Sequence, residues 1–336
     1  MGNSPVVETQ ALTKRYGEFT ALDSLTISVA AGQILGFIGP NGAGKTTTIR
    51  ILVGLLRPTS GWARVCGADC ATESRRIKHL VGYMPDRFGS YDNMRVSEYL
   101  DFFGAAYSIG RRQRVRRIEE VLEITHATYM RDRYVETLSR GMQQRVAIAR
   151  TLLHDPQVII LDEPASGLDP QARIEMRELL LRLAAMGKTL MVTSHILPEL
   201  SQICDTVAII TGGKLRAFGS LDQIMREIRQ LRTFEVQLTD GSRFDAASRL
   251  VANWLKVPLE KLSGSAMESV VRFETQRSDS ELAPLLVELI RAALPVGQFR
   301  EVPTSLEDAF LSVTRNTQSA DQKDAGTAEP QGGRAV

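Results

Sequence analysis

"ILGFIGPNGAGKTTTIRILVGLL", residues 34–56, joins an apolar strand to a helical pattern through a turn of glycines and small polar residues. The strand reads "ILGFIG" (34–39), and "KTTTIRILVGLL" (45–56) has helical spacing that Arg57-Pro58 ends. Between them "GPNGAGKT" (39–46) fits G-x-x-x-x-G-K-T without a gap. Glycines let such a backbone close on a phosphate chain with its N–H groups inward, and the following helix adds a positive end. Gly39, Asn41, Gly42, Gly44 and Thr47 then belong to a nucleotide cradle. Lys45 reaches the β- and γ-phosphates, and the Thr46 hydroxyl ligates Mg²⁺.

Further along, "VIILDEP" (158–164) is a buried strand with acids at its tip. Asp162 suits Mg²⁺ held through water, and Glu163 can orient and deprotonate a water for attack on the γ-phosphate. Acids at strand ends also cap helices, but Pro164 and the loop "ASGLDP" separate these two from the next helix. His195 ends the strand "MVTSH". In a parallel sheet the C-terminal strand ends line one crevice, so Lys45, Glu163 and His195 are expected to meet.

Around these segments, strands alternate with helices. Residues 5–35 read as short strands, "HLVGYM" (79–84) as a strand and 95–153 as mostly helical. A helix over 172–187 is closed by Gly187, and strands follow at 189–195 and 206–214. The class is α/β with a parallel or mixed sheet. Beyond about Leu221 the pattern changes to "TFEVQLTDG", "SVVRFETQ" and "GQFREV", strands separated by two helical stretches. We expect a small α+β domain over 230–315 and a disordered tail over 316–336. A chain of 336 residues suits two domains.

Composition narrows the function. Forty-one Lys and Arg against 39 Asp and Glu leave a net charge of +2, so no general basic field for nucleic acid is present. "GRRQRVRRIEEVLE" (110–123) gathers five arginines, but Glu119, Glu120 and Glu123 follow, which reads as a solvated helix face. Cys66, Cys70 and Cys204 read as reduced thiols, with Cys66 and Cys70 flanking a turn rather than holding zinc. The N-terminus lacks the pattern of a signal peptide, and Val6 departs from the acylation pattern that "MGNSPV" partly matches. No segment approaches the ~20 apolar residues of a membrane span.

"LSRGMQQR" (138–145) reads on its own as a serine-capped helix start, a donor-rich end suited to anions. Its place in the chain says more. Tyr16, "GPNGAGKT", "LSRGMQQR", "VIILDEP", "SGLD" (166–169) and "TSH" (193–195) follow one another in an order that resembles the nucleotide-binding subunits of ATP-binding cassette (ABC) transporters. The resemblance covers about residues 5–225. It implies a phosphate-loop NTPase fold of the ABC type with a helical subdomain at about 88–153, binding ATP and Mg²⁺. It further implies a head-to-tail pair, with a second copy or a homologous ATPase subunit. Ser139 and Gly141 of each chain cap the γ-phosphate held by the other, and Asp169 acts across the dimer. Tyr16 stacks on adenine, Glu163 is the general base and His195 contacts the γ-phosphate.

The resemblance also places the chain at the cytoplasmic face of a membrane, held by a separately encoded permease whose short cytoplasmic helix enters a groove of the helical subdomain. The unit over 230–315, with "SLEDAFLSVT" (305–314), resembles extensions on drug, lipid and polysaccharide exporters, and a dimer-stabilising or regulatory role is expected of it. Two departures stand out. Arg140 and Met142 replace residues of the commoner LSGGQ, and Asp86 in "GYMPDRFG" stands where the family usually has Gln, as a further candidate Mg²⁺ ligand. The alternative is a soluble relative acting on nucleic acid or the ribosome. Such proteins usually carry two cassettes or a long coiled coil before the signature, and neither is visible. A guanine-reading Asn-Lys-x-Asp is absent as well, against a GTPase.

Overall fold

A computed structural model of the chain describes residues 5–89, 93–195, 200, 202–220, 223–224 and 232–302. The chain divides into two compact units, one ending at Leu221 and the other beginning at Asp222. The segment 305–314 and the tail 316–336 lie outside the described residues.

The first unit opens with β1 (Pro5–Tyr16) and β2 (Phe19–Ala30), an antiparallel pair turning at Gly17, which has φ +58°. These are long strands, not the short ones the alternation suggests. Irregular pairing around Ala11 (φ +45°) and Ser24 (φ +52°) shifts the register and breaks the period of two without ending the ladder. The Thr9 hydroxyl spans this pair, donating to Leu25 O at 2.9 Å and accepting from Ile27 N at 3.0 Å.

Next come β3 (Ile34–Ile38), buried throughout, and α1 (Lys45–Leu52). The helix ends earlier than its apolar pattern indicates. Gly54 turns left-handed at φ +71°, and the N–H groups of Leu55 and Leu56 fold back onto Arg50 O at 2.8 and 3.0 Å. Strands β4 (Ser60–Val65) and β5 (Ala68–Asp69) complete a four-stranded sheet in the order β2-β1-β4-β5. Cys66 sits in the turn between them at φ +49°.

Helix α2 (Ser74–Leu80) takes His79 and Leu80, so β6 is confined to Val81–Met84. Helices α3 (Val96–Ala106), α4 (Arg111–Ile124) and α5 (Arg140–Leu152) fill the helical region. Then follow β7 (Val158–Leu161), α6 (Pro170–Ala185), β8 (Thr189–Ser194), β9 (Thr206–Thr211) and β10 (Lys214–Gly219). The second sheet runs β10-β9-β3-β8-β7-β6, parallel from β9 to β6, with only β10 antiparallel.

Both sheets and α1 share one core, in which Leu12, Leu22, Phe37, Ile49, Leu52 and Ile160 are fully buried. Strands β3, β7 and β8 are buried along their whole length, as strands covered on both sides must be. Their parallel order carries the function: the ends of β3, β6, β7 and β8 open on one edge.

Among its described residues the second unit is an antiparallel sheet with two helices. It contains β11 (Arg232–Leu238), α7 (Phe244–Leu255), β12 (Ser263–Ser265), β13 (Val270–Thr275), α8 (Asp279–Arg291) and β14 (Val296–Val302), with strand order β12-β13-β11-β14. Its own core joins Phe234, Val236, Phe273 and Val251 to Leu282, Leu285 and Leu289. Ser278 and Glu281 form a reciprocal cap at the start of α8. On the sheet, Glu235 is 3 % exposed and is held between Arg272 and Arg300, each donating at 2.8 Å.

Candidate nucleotide site

The loop after β3 is shaped by what a side chain would strike. A Cβ on Gly39 would lie 2.3 Å from Ile210 O, and one on Gly44 would lie 2.8 Å from Ala21 O. Gly44 also has φ +107°, so the backbone can turn into α1 only with glycine there. Lys45, 6 % exposed, folds back over this loop and donates to Gly39 O at 2.6 Å and Pro40 O at 3.3 Å. Its ammonium stands 3.8 Å from Glu163 Oε1. Burial pushes Lys45 down from its ordinary pKa, against the opposing pull of Glu163 and Asp162.

The tip of β7 supplies the acids. Asp162 N continues the ladder by donating to Met84 O at 2.9 Å, which fixes the next residue at the crevice. Asp162 is 5 % exposed and accepts from the Thr193 hydroxyl at 2.7 Å. Burial raises its pKa, with Glu163 and Asp86 adding to the rise and the Thr193 bond opposing it. The same Thr193 oxygen accepts from Glu163 N at 2.9 Å. Glu163 itself has φ +52°, a left-handed conformation that a non-glycine residue holds only where neighbours over-determine it. That turn swings its carboxylate between Lys45 and His195, whose Nδ1 lies 3.2 Å from Glu163 Oε2.

A cavity of about 490 Å³ collects most of the residues singled out in the sequence: Tyr16, Asn41, Gly42, Gly44, Lys45, Thr46, Thr47, Asp86, Asp162 and Glu163. Gly39 lies beneath it as the acceptor for Lys45. His195 lines a smaller neighbouring cavity that shares Glu163. Ser139, Gly141 and Asp169 are not in the lining. Ser139 caps α5, its hydroxyl accepting from Met142 N at 3.4 Å, and Asp169 caps α6, accepting from Ala172 N at 2.9 Å. Gly141 packs near Leu168 and Ala172, between these two helix starts.

Four further residues belong to the site. Phe19, paired across the turn from Tyr16, extends its aromatic ledge, and both rings are exposed. Ser166 and Arg140 line the same cavity, and Thr193 holds both acids. Thr193 had a weak local signal, a hydroxyl just before His195 at the end of a buried strand. Ser166 opens the "SGLD" motif, whereas Phe19 had no signal, because only the tertiary fold brings it to the loop.

Comparison with known proteins agrees with this geometry. The family profile described as "ABC transporter" matches residues 22–166. The Nod factor export ATP-binding protein I of Ralstonia nicotianae is 34% identical over 315 residues, covering 94% of this chain and 95% of that protein. A bacitracin transport ATP-binding protein of Bacillus licheniformis is 40% identical over 241 residues, covering 71% and 77%. Among solved structures, an ATP-binding subunit of an ABC transporter superposes with TM-score 0.61 at 29% identity, over 67% of this chain and 93% of that one. An ATP-binding cassette of an ABC transporter in its ADP conformation gives TM-score 0.60 at 25% identity, over 67% and 94%.

Proposed function

Since this chain belongs to the ATP-binding subunits of ABC transporters, we propose that it hydrolyses ATP to power export through a separately encoded membrane permease. The observation that carries the reading is the division of the site. Lys45, Asp162, Glu163 and His195 converge on one crevice, while Ser139 and Gly141 stand at a helix start outside it. A second copy, facing head to tail, supplies its helix start to the open side of this cavity, and Asp169 lies next to that contact.

In this scheme Tyr16, with Phe19, receives the adenine. The loop from Gly39 to Thr47, with Asn41, Gly42 and Gly44, wraps the phosphates, and Lys45 exchanges its carbonyl contacts for phosphate oxygens. Glu163 takes the proton of the attacking water, and His195, already hydrogen-bonded to it, holds its carboxylate and faces the γ-phosphate. Mg²⁺ fits the donors present. Thr46, Asp86 and Asp162 offer only oxygen, as a hard cation requires, and buried Asp162 carries a carboxylate in need of a counter-charge. No group of three or more acid, His or Cys side chains among the described residues could hold a metal alone, so phosphate oxygens would complete the set. When bound, the ion neutralises charge developing on the transferred phosphoryl group.

For the permease, an apolar groove of about 360 Å³ is at hand, lined by Leu55, Tyr83, Phe103, Tyr107 and Arg150. Leu55 is 62 % exposed there, which suits the apolar face of a short helix. No described helix is long and apolar enough to cross a membrane. In this reading the chain sits at the cytoplasmic face, held by its permease, and the unit after Asp222 stabilises or regulates the dimer.

Complementation tests the shared site. Lys45→Ala and Ser139→Ala chains should each be inactive as homodimers, and a mixed pair would contain one intact site. Recovery of ATP hydrolysis on mixing the two, in the assembled transporter, is the expected result. No recovery overturns the shared arrangement.

A further inference from the structure

Arg140 departs from the resembled family and does something the motif does not predict. It is the first residue of α5, directly after the capping Ser139, yet its side chain lines the nucleotide cavity of its own chain together with Ser166 and Glu163. It reaches there by lying over Gly167. A Cβ on that glycine would stand 2.8, 2.8 and 2.9 Å from Arg140 Cζ, Nη1 and Nε. Nearly equal distances to three guanidinium atoms mean that the plane lies face-on to the glycine backbone, a seat any larger residue would occupy.

Other arginines of α5 are engaged: Arg145 pairs with Glu175 and Arg150 donates to the Tyr99 hydroxyl at 2.7 Å. Among the described residues no hydrogen bond or ion pair ends on the Arg140 side chain. Charge makes the position matter. The cavity is lined by three acids, Asp86, Asp162 and Glu163, and by two cations, Lys45 and Arg140. Arg140 lines the cavity together with Ser166 and lies over Gly167, on the loop that directly follows Glu163, the residue read as facing the terminal phosphate.

We propose that Arg140 is a second cation for the γ-phosphate of the nucleotide bound by its own chain. The inference rests on the nucleotide reading of the cavity and adds to it a contact made in cis. One helix start then serves two sites, Arg140 its own and Ser139 with Gly141 the partner's. The planar guanidinium suits a phosphate oxygen pair and its flat seat on Gly167, so lysine can replace it only in part.

The full-length chain, diluted until sedimentation shows a monomer, is titrated with a non-hydrolysable ATP analogue (the imido form) and with ADP. Arg140→Ala should weaken the analogue about ten-fold and ADP about two-fold or less, with Arg140→Lys intermediate. Unchanged affinity for the analogue, or equal losses for both nucleotides, overturns the proposal. Lys45→Ala separates the two claims. If it binds both nucleotides normally, the cavity reading itself is wrong. If it loses both while Arg140→Ala loses neither, only the cis contact fails. Thermal melts of each variant identify any that fail to fold, and for such a variant Arg140→Gln, similar in length and uncharged, takes the place of Arg140→Ala with the same expected losses.

Discussion

Asp86 stands where the sequence resemblance leads one to expect Gln. It follows β6 and adds a third carboxylate to the cavity beside Asp162 and Glu163. Its charge contributes to the raised pKa of Asp162, so it acts on the site electrostatically. Replacing Asp86 by Ala should lower the steady-state ATPase rate and raise the Mg²⁺ concentration needed for half-activity, by about ten-fold. An unchanged rate at every Mg²⁺ concentration would remove Asp86 from the metal's surroundings. At this scale the sequence was informative wherever function is local. Lys45 and Asp162 sit in segments whose neighbours announce a loop and a strand tip. It was silent on Arg140 reaching Gly167 and on the left-handed turn of Glu163, since both depend on side chains and hydrogen bonds far along the chain.

Elements were legible in proportion to the regularity of their patterns. The buried runs at β3, β7 and β8 declared themselves, whereas β10 did not, its residues being mostly half-exposed at a sheet edge. Helix α1 was read too long because Gly54 falls inside an apolar run that continues past the helix end. The junction of α5, β6 and α3 carries a pH prediction. His154 follows α5, stacks on Tyr107 at 4.0 Å and bonds Val81 O at 3.1 Å. Burial pushes its pKa down to about 4 from 6.5, helped by His79 and Arg117 and opposed by the Val81 bond and Asp155. The unfolded chain therefore binds a proton that the folded one refuses between these values. Stability is full above about pH 6.5, falls as pH drops toward 4, and changes no further from this group below that. After discounting for partial exposure the loss is about 2 kcal/mol. Urea titrations at pH 7 and pH 4.5 should show His154→Phe losing less stability on acidification than the native chain.

Among the described residues, one core lies around α1 between its sheets and another lies under α7 and α8. Leu285 is fully buried in the second. Leu285→Ala should cost that unit about 3 kcal/mol through the cavity it leaves. In calorimetry, one transition should move down while another, the one that ATP raises, stays in place. A uniform loss of ATP affinity would show that the two cores are not energetically separate. The change of character near Leu221 was legible in the sequence because composition and element order change together there. The closing segment 305–314, part of the resemblance to exporter extensions, lies outside the described residues.

Glu163 keeps its backbone in a conformation suited to glycine, anchored by Thr193. A Glu163→Gly chain should therefore resist heat at least as well as the parent while turning over no ATP. Screening variants of this protein for hardiness alone would enrich a silent enzyme. Durability and work pull against each other at this codon, and only an assay of turnover can tell an improved protein from a dead one.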